Sequence, residues 1–297
     1  SIGSDSETKE AYIIAGVVWA RALGGAGDEQ ANDVLVASAE NTRHVVVGST
    51  DSFGAGGTDV YVVSLTPSGE VDWARTYGGE GDEVGRAVVQ LDNGDLVIAG
   101  WTNSFGFGGT DVYVIRTDVE GNEVWSYTYG GALNDKAYDM MITSGNQLAI
   151  AGESNSLGSI SSKMYLLLLD FDGTEARSRI MPTDGSSVAE AIDETTDGYL
   201  LVGAQQSVGV NTDFHVVKTD SQGEQVWSYT YPVVVEPEPE EGEGTAEGET
   251  EGETEGDGES GAKASGSGKA YDVIASSNNH LICGGWNTGT YRGVEMV

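Results

Sequence analysis

The stretch Val71-Asp72-Trp73-Ala74-Arg75-Thr76-Tyr77-Gly78-Gly79 recurs along the chain and decides its fold. A closely related stretch surrounds Trp125, a shorter one surrounds Trp227, and an earlier one surrounds Trp19. The copies are separated by roughly fifty residues or by twice that distance, and self-similarity at such a period is the signature of a repeat architecture. The degenerate copy lies at residues 176–181, where no tryptophan is present.

Each period contains four strand-like runs that are separated by turn residues. In the second period the runs cover residues 86–91, 95–101, 111–117 and 123–129, and glycine-bearing segments lie between them. Alternating apolar and polar residues indicate strands, and four short antiparallel strands in each repeat are typical of a propeller blade. A blade has two apolar faces, so it needs neighbouring blades to bury them.

The two ends of the chain set the predicted number of blades. Residues 270–297 provide three strand-like runs and no fourth, whereas residues 17–23 form a lone run of the fourth-strand type. Joining these fragments removes the open sheet edges. The sequence therefore predicts an all-β, five-bladed β-propeller with four-stranded blades, in which the N-terminal strand completes the last blade and closes the ring.

The repeat resembles those of extracellular bacterial and archaeal β-propeller proteins, which follow a W-x-x-T-Y-G-G pattern. Residues 73–79, 94–102 and 111–121 carry the resemblance. It implies a propeller on a secreted or cell-surface protein, and it implies no particular activity.

The chain divides into an arm, two propeller segments and an insertion. Residues 236–269 alternate acidic residues with Gly, Thr and Pro before a Gly/Ser-rich stretch, a composition that buries no apolar surface and predicts disorder. The predicted organisation is an N-terminal arm at 1–10, blades one to four with the closing strand at 11–235, the acidic insertion at 236–269, and blade five at 270–297.

The composition argues against two classes of partner. A net charge of −34 repels nucleic-acid phosphates and anionic membrane surfaces. No apolar run is long enough for a transmembrane helix, so membrane insertion is not expected. Cys283 is the only cysteine, which excludes an internal disulfide and a thiolate metal cluster.

Acidic residues on the predicted innermost strands are candidate ligand-binding residues. Asp139, Glu190 and Asp272 lie on these strands, and paired carboxylates in a propeller funnel suit glycoside chemistry. The alternative is that they are solvated residues at the mouth of a channel. Trp101 and Trp286 each end a second strand, where an exposed ring would stack on a sugar and a buried one would pack the core.

A recurring aspartate follows the Gly-Gly positions. Asp28, Asp82, Asp135 and Asp184 are its copies, and we expect them to accept backbone N–H bonds in the loops between blades. Calcium binding by these loops is the alternative. We expect no other cofactor and no metal site, because the three histidines lack ligand spacing.

The N-terminal residues contain one strand more than the ring needs. Tyr12, Ile13 and Ile14 resemble a third strand, although blade five already has one. An unpaired apolar strand near a chain end is a template for pairing with a second copy, and head-to-tail pairing builds a filament. The alternative is an arm that packs on its own propeller.

Two classes of function follow from these patterns. The first is a non-enzymatic extracellular or cell-surface protein with a structural or adhesive role, assembling as a filament subunit by strand donation. The second is a propeller that binds surface glycans, with a glycosidase as its enzymatic variant. Repeated scaffolding residues without a distinctive polar cluster favour the first class, so no enzymatic activity is expected.

Overall fold

The computed structural model describes residues 19–37, 42–156, 158, 161–206, 212–231, 268–275, 280–286 and 294–295. All regular secondary structure in these residues is β-strand. The strands form four sheets of four antiparallel strands and one sheet of three, and within each sheet the strands neighbour one another in chain order. The prediction of an all-β chain built from four-stranded, blade-type sheets is therefore confirmed for the first four sheets.

The first compact unit, Ser1–Met181, contains three sheets. Sheet 1 comprises β1 (Glu29–Ala37), β2 (Arg43–Thr50), β3 (Asp59–Leu65) and β4 (Val71–Tyr77). Sheet 2 comprises β5 (Glu83–Gln90), β6 (Leu96–Thr102), β7 (Asp111–Thr117) and β8 (Glu123–Tyr129). Sheet 3 comprises β9 (Asp135–Ile142), β10 (Leu148–Ser154), β11 (Lys163–Leu169) and β12 (Glu175–Ile180).

The second compact unit, Pro182–Val297, contains two sheets. Sheet 4 comprises β13 (Ser187–Thr195), β14 (Gly198–Gln206), β15 (Thr212–Thr219) and β16 (Gln225–Tyr231). Sheet 5 comprises β17 (Gly268–Ala275), β18 (His280–Trp286) and β19 (Val294–Glu295). Strand β17 begins inside the segment that the sequence assigned to the acidic insertion.

The core of the first unit lies between successive sheets, because the middle strands are apolar on both faces. Leu96 and Ile98 of sheet 2 pack in one cluster with Val47 and Val62 of sheet 1. Val97 and its neighbours on the opposite face pack in a second cluster with sheet 3. Side chains alternate between the two faces of a strand, so strand β6 serves both interfaces and is buried along almost its whole length.

Neighbouring sheets of the first unit are also joined by a side chain at the end of each outermost strand. The Tyr77 hydroxyl donates to the backbone carbonyl of Gly121 at 2.6 Å, and the Tyr129 hydroxyl donates to that of Gly173 at 2.6 Å. Each acceptor lies in the hairpin between the third and fourth strands of the next sheet. Gly121 has φ +77°, and a Cβ there would lie 2.8 Å from the Trp73 ring. The hairpin therefore requires glycine for its conformation and for close approach.

The predicted closing strand differs from its expected form. Residues 19–23, the described part of the predicted strand at 17–23, have no strand conformation. Sheet 5 has three strands in the described chain. Closure of the ring and the presence of a fifth complete blade therefore stay predictions.

Candidate functional site

The first strand of every sheet carries a β-bulge at the same register position. At this position one residue of the first strand has no partner in the second strand. The bulged residues are Asn32, Arg86, Tyr138, Glu190 and Tyr271. Bulges redirect side chains and occur often beside functional sites. Here four residue types occupy the five bulge positions of otherwise repetitive strands.

The bulge of sheet 1 is bonded to the innermost strand of sheet 2. The Asn32 side-chain amide donates to the carbonyl of Gly85 at 2.8 Å. The neighbouring Asp33 accepts from the backbone N–H of Val88 at 2.8 Å and from that of Val34 at 2.7 Å. These two side chains are structural, because they satisfy backbone groups across the interface.

The bulges of sheets 2 and 3 form a polar and aromatic group. The Arg86 guanidinium carbon lies 5.2 Å from the centre of the Tyr138 ring, within range of a cation–π interaction. The Tyr138 hydroxyl donates to Glu153 at 2.9 Å, and Ser162 donates to the other oxygen of that carboxylate. The buried Nε of Arg86 makes no hydrogen bond among the described residues. Such a group can bind polar ligands, although nothing in its geometry defines a reaction.

Trp101, predicted as a sugar-stacking or core residue, is half-buried. The Lys136 ammonium nitrogen lies 4.9 Å from the centre of its ring. One face of Trp101 is therefore occupied by a cation from the next sheet, which favours packing over sugar stacking at this position.

Trp286 lies in strand β18, where it pairs with Gly268 of β17. Its assignment as a sugar-stacking or core residue stays a prediction.

The predicted acids of the innermost strands belong to different compact units. Asp139, in the first unit, accepts from the backbone N–H of Met140 at 2.8 Å. Glu190, in the second unit, is a bulged residue and is buried. Asp272 pairs with Cys283 immediately after the bulge of sheet 5. Among the described residues, Asp139 therefore serves the backbone, and pairing of these acids as a ligand site stays a prediction.

The predicted assembly residues Tyr12, Ile13 and Ile14 lie outside the described residues.

Two of the four predicted loop acids, Asp82 and Asp135, accept backbone N–H bonds, as expected. Asp82 accepts from the N–H of Thr58 at 3.0 Å. Asp135 accepts from the N–H of Gly131 at 2.8 Å, although it begins strand β9 as Glu29 and Glu83 begin β1 and β5. The residue that corresponds to Asp82 is Asn134, which accepts from Thr110 at 3.0 Å.

Sequence reasoning missed two buried pairs of carboxylates at the junctions of the first unit. Asp59 and Glu83 form one pair, and a Cβ on Gly78 would lie 2.1 Å from Asp59 Oδ1 and 2.3 Å from Glu83 Oε2. Asp111 and Asp135 form the other around Gly130, with corresponding distances of 2.5 Å and 2.5 Å. The signal available in the sequence was the recurrence of an acid directly after the Gly-Gly loop.

The two pairs differ from ordinary exposed acids. Burial raises the pKa of Asp59, and burial with the nearby Asp135 charge raises the pKa of Asp111 to about 6. Backbone N–H groups from the preceding hairpin loop bind both, Ala55 at 3.0 Å and Phe107 at 2.8 Å. Among the described residues, no group of three or more acids, histidines or cysteines is placed to hold a metal ion.

Among the described residues, one apolar face of sheet 1 is exposed. Val34 is 63% exposed, whereas Val88 at the same register position in sheet 2 is 5% exposed. A cavity of 310 Å³ lies on this face between Trp19, Leu23 and the strand residues Val46 and Val63. In sheet 2 the corresponding face is filled by sheet 1.

Comparisons with known proteins found only distant similarity. No protein-family model matches the chain. A segment of 127 residues is 28% identical to the Regulatory protein FlaEY of Caulobacter vibrioides, and the match covers 37% of this chain but 13% of that protein. No described helix is long and apolar enough to cross a membrane.

Two solved structures match the chain at low similarity. The Neurospora crassa Pan2 WD40 domain matches 68% of this chain and 66% of its own, with 12% identity and a TM-score of 0.40. An α-L-arabinofuranosidase from Clostridium thermocellum matches 86% and 80%, with 11% identity and a TM-score of 0.39. The class of fold is given by the chain's own four-stranded antiparallel sheets.

Proposed function

We propose that the chain is a non-enzymatic structural or adhesive β-propeller of the cell surface, closed as a ring of five blades. In this proposal residues 17–23 form the fourth strand of the last blade. The resemblance of the repeat to extracellular propellers supports the location. The net charge of −34 supports it further, because it disfavours association with nucleic acid.

The observation that carries the proposal is the open apolar face of sheet 1. Burying an apolar side chain stabilises a protein by about 1.5–3 kcal/mol relative to leaving it exposed. Val34 and Val36 are 63% and 60% exposed. A face of this kind needs a cover, and in sheet 2 the cover is the preceding blade. In the proposed ring, the fifth blade would provide this cover for sheet 1.

The position of Trp19 supports the same closure. Its indole N–H donates to the carbonyl of Pro67 at 3.0 Å, and its ring lies where a Cβ of Gly69 would be placed. Trp73 donates to the carbonyl of Val119 at 3.2 Å and lies in the same way over Gly121. Trp19 thus contacts sheet 1 as a fourth-strand tryptophan contacts the following sheet.

The acids of the first strands support a non-enzymatic role. Asp33, Asp139 and Asp193 each accept from the backbone N–H of the next residue, at 2.7, 2.8 and 2.8 Å. A general acid or base must reach a substrate, whereas these carboxylates bind backbone N–H groups of their own strands.

Assembly completes the proposal. If residues 17–23 belong to the ring, then Tyr12, Ile13 and Ile14 are left over as a strand. Their donation to a second copy joins two different surfaces, so the contact is head-to-tail and extends into a filament.

Deletion of residues 1–15 tests the assembly. We expect the intact protein from its native source to be polymeric by light scattering and electron microscopy. The truncated protein should be monomeric, with an unchanged circular dichroism spectrum and melting temperature. The proposal fails if the native material is monomeric at all concentrations, or if the truncated protein polymerises equally well.

A further inference from the structure

A cleft opens between the outermost strands of sheets 1 and 2. Its volume is 540 Å³, which is within the usual range for small-molecule sites. Strand β4 forms one side and strand β8 the other, and the loop before β7 closes one end. The residues that matter for recognition are Thr76, Phe105, Tyr113, Glu123, Ser126 and Thr128.

Aromatic rings form one wall of the cleft. Phe105 is 44% exposed, although phenylalanine side chains are usually buried. Its ring centre lies 5.7 Å from that of Tyr113, which is 5% exposed and therefore fixes the orientation of Phe105 from behind. The wall is thus a supported, partly exposed aromatic surface.

Hydrogen-bonding groups form the other wall. The Ser126 hydroxyl donates to Glu123 Oε1 at 2.8 Å, and Ser126 is also hydrogen-bonded to the Tyr113 hydroxyl. Thr76 and Thr128 add hydroxyls from the two outermost strands. Glu123 itself is exposed. The cleft therefore presents a carboxylate acceptor and several hydroxyls opposite an aromatic ring.

The two halves of this arrangement occur separately elsewhere in the first unit. Sheet 1 repeats the aromatic pair, with Phe53 5.8 Å from Tyr61, but has Val71 and Ala74 at the positions of Glu123 and Ser126. Sheet 3 repeats the polar pair, with Ser178 donating to Glu175 at 2.7 Å.

Sheet 3 lacks the aromatic half. In its sequence Leu157 follows Ser156, as Phe105 follows Ser104, and Ile180 replaces Thr128. Each half alone is explained by packing. Among the three sheets of the first unit, the described residues combine both halves only in sheet 2.

We propose that this cleft binds a saccharide, with a pyranose ring against Phe105 and its hydroxyls hydrogen-bonded to Glu123 and the flanking hydroxyl side chains. A pyranose has an apolar C–H face and a rim of hydroxyls, which matches one aromatic wall and one polar wall. An anionic ligand such as a phosphate does not fit, because Glu123 and the net charge of −34 repel it. The role of this cleft as the attachment site of an adhesive protein rests on the function proposed above.

Binding is measured with the purified full-length chain and free disaccharides. The probes are cellobiose, chitobiose, maltose and lactose in isothermal titration calorimetry, after an array of immobilised glycans has ranked the linkages. We expect at least one saccharide to bind. Phe105→Ala and Glu123→Gln should each weaken its binding by about tenfold or more, because the first removes the stacking ring and the second removes the charge that strengthens the hydrogen bonds to the sugar hydroxyls.

Matched controls come from the neighbouring sheets. Phe53→Ala and Glu175→Gln remove the corresponding residues of sheets 1 and 3 and should leave the dissociation constant within about twofold. Failure of every disaccharide and every arrayed glycan to bind the folded chain overturns the proposal. So does binding that Phe105→Ala and Glu123→Gln leave unchanged. Neither readout depends on cell-surface location or polymerisation, so the proposed function and this site fail separately.

Discussion

Asp111 is a buried acidic residue at the junction of sheets 2 and 3. It is 2% exposed, it accepts from Phe107 N–H, and its other oxygen faces Asp135 across Gly130. Burial, reinforced by the Asp135 charge, raises the pKa of Asp111 to about 6. The folded state thus holds this proton more tightly than the unfolded state, in which the pKa is about 3.9. Protonation of Asp111 therefore adds its full contribution to the free energy of unfolding below about pH 3.9. This contribution is lost as the pH rises through about 6.

The substitution Asp111→Asn should therefore stabilise the protein relative to the parent more at pH 7.5 than at pH 4.5. The neutral amide keeps the acceptor for Phe107 and removes the repulsion with Asp135. Melting temperatures of both proteins at the two pH values measure the effect. If the melting temperatures of the two proteins differ by the same amount at both pH values, Asp111 does not carry the pH dependence.

Asp118 provides a control of opposite sign. Hydrogen bonds from the Asn122 side chain and backbone, both at 2.8 Å, lower its pKa. Its contribution is present above the ordinary pKa of the unfolded chain and is lost as pH falls through the folded value. Asp118→Asn should accordingly be destabilising at pH 7.5 and less so in acid.

At the scale of the element, the tyrosine at the end of each outermost strand joins one sheet to the hairpin of the next. Tyr129→Phe removes the donor to the buried carbonyl of Gly173. We expect a loss of about 1–3 kcal/mol in the free energy of unfolding, because the acceptor is left unsatisfied. Denaturant titration measures this loss.

The same strand offers the control for that substitution. Tyr127 is 50% exposed, so Tyr127→Phe should change the free energy of unfolding by less than about 0.5 kcal/mol. Equal effects of the two substitutions would contradict a structural role for the Tyr129 hydroxyl.

The strands of sheet 2 were predicted well because their alternation is regular. Strands β7 and β8 have the predicted bounds, and β6 differs by one residue at each end. Strand β5 begins at Glu83 rather than Arg86, because the bulge at Arg86 breaks the alternation from which the start was read.

The candidate sites were less predictable than the strands. Recurrence identified the loop acids, and it could not reveal that Asp59 approaches Glu83, since the two come from different sheets. The cleft was missed for a similar reason. Phe105 and Glu123 each belong to a repeated pattern, and only their positions in sheet 2 show that the two patterns meet.

At the scale of the whole molecule, the acidic segment separates two strands of the second unit. Strand β16 ends at Tyr231 and strand β17 begins at Gly268. Replacing residues 232–267 by a short Gly/Ser turn should leave the melting temperature nearly unchanged. The composition of the segment buries no apolar surface, and each halving of a loop changes its closure entropy by only about 0.6 kcal/mol. Loss of cooperative unfolding in calorimetry would show that the segment is part of the fold.

The bonds from Tyr77 to Gly121 and from Tyr129 to Gly173 have a consequence for how such a chain can grow. A gene segment cut at the borders of one sheet encodes a hydroxyl without its acceptor and a hairpin without its donor. A segment that starts with the outermost strand of one sheet and ends with the third-to-fourth hairpin of the next encodes both partners. A duplicated module that keeps both the hydroxyl and its acceptor is therefore offset by one strand from the sheet. A chain that lengthens by copying this module retains the hydrogen bond between each pair of neighbouring sheets.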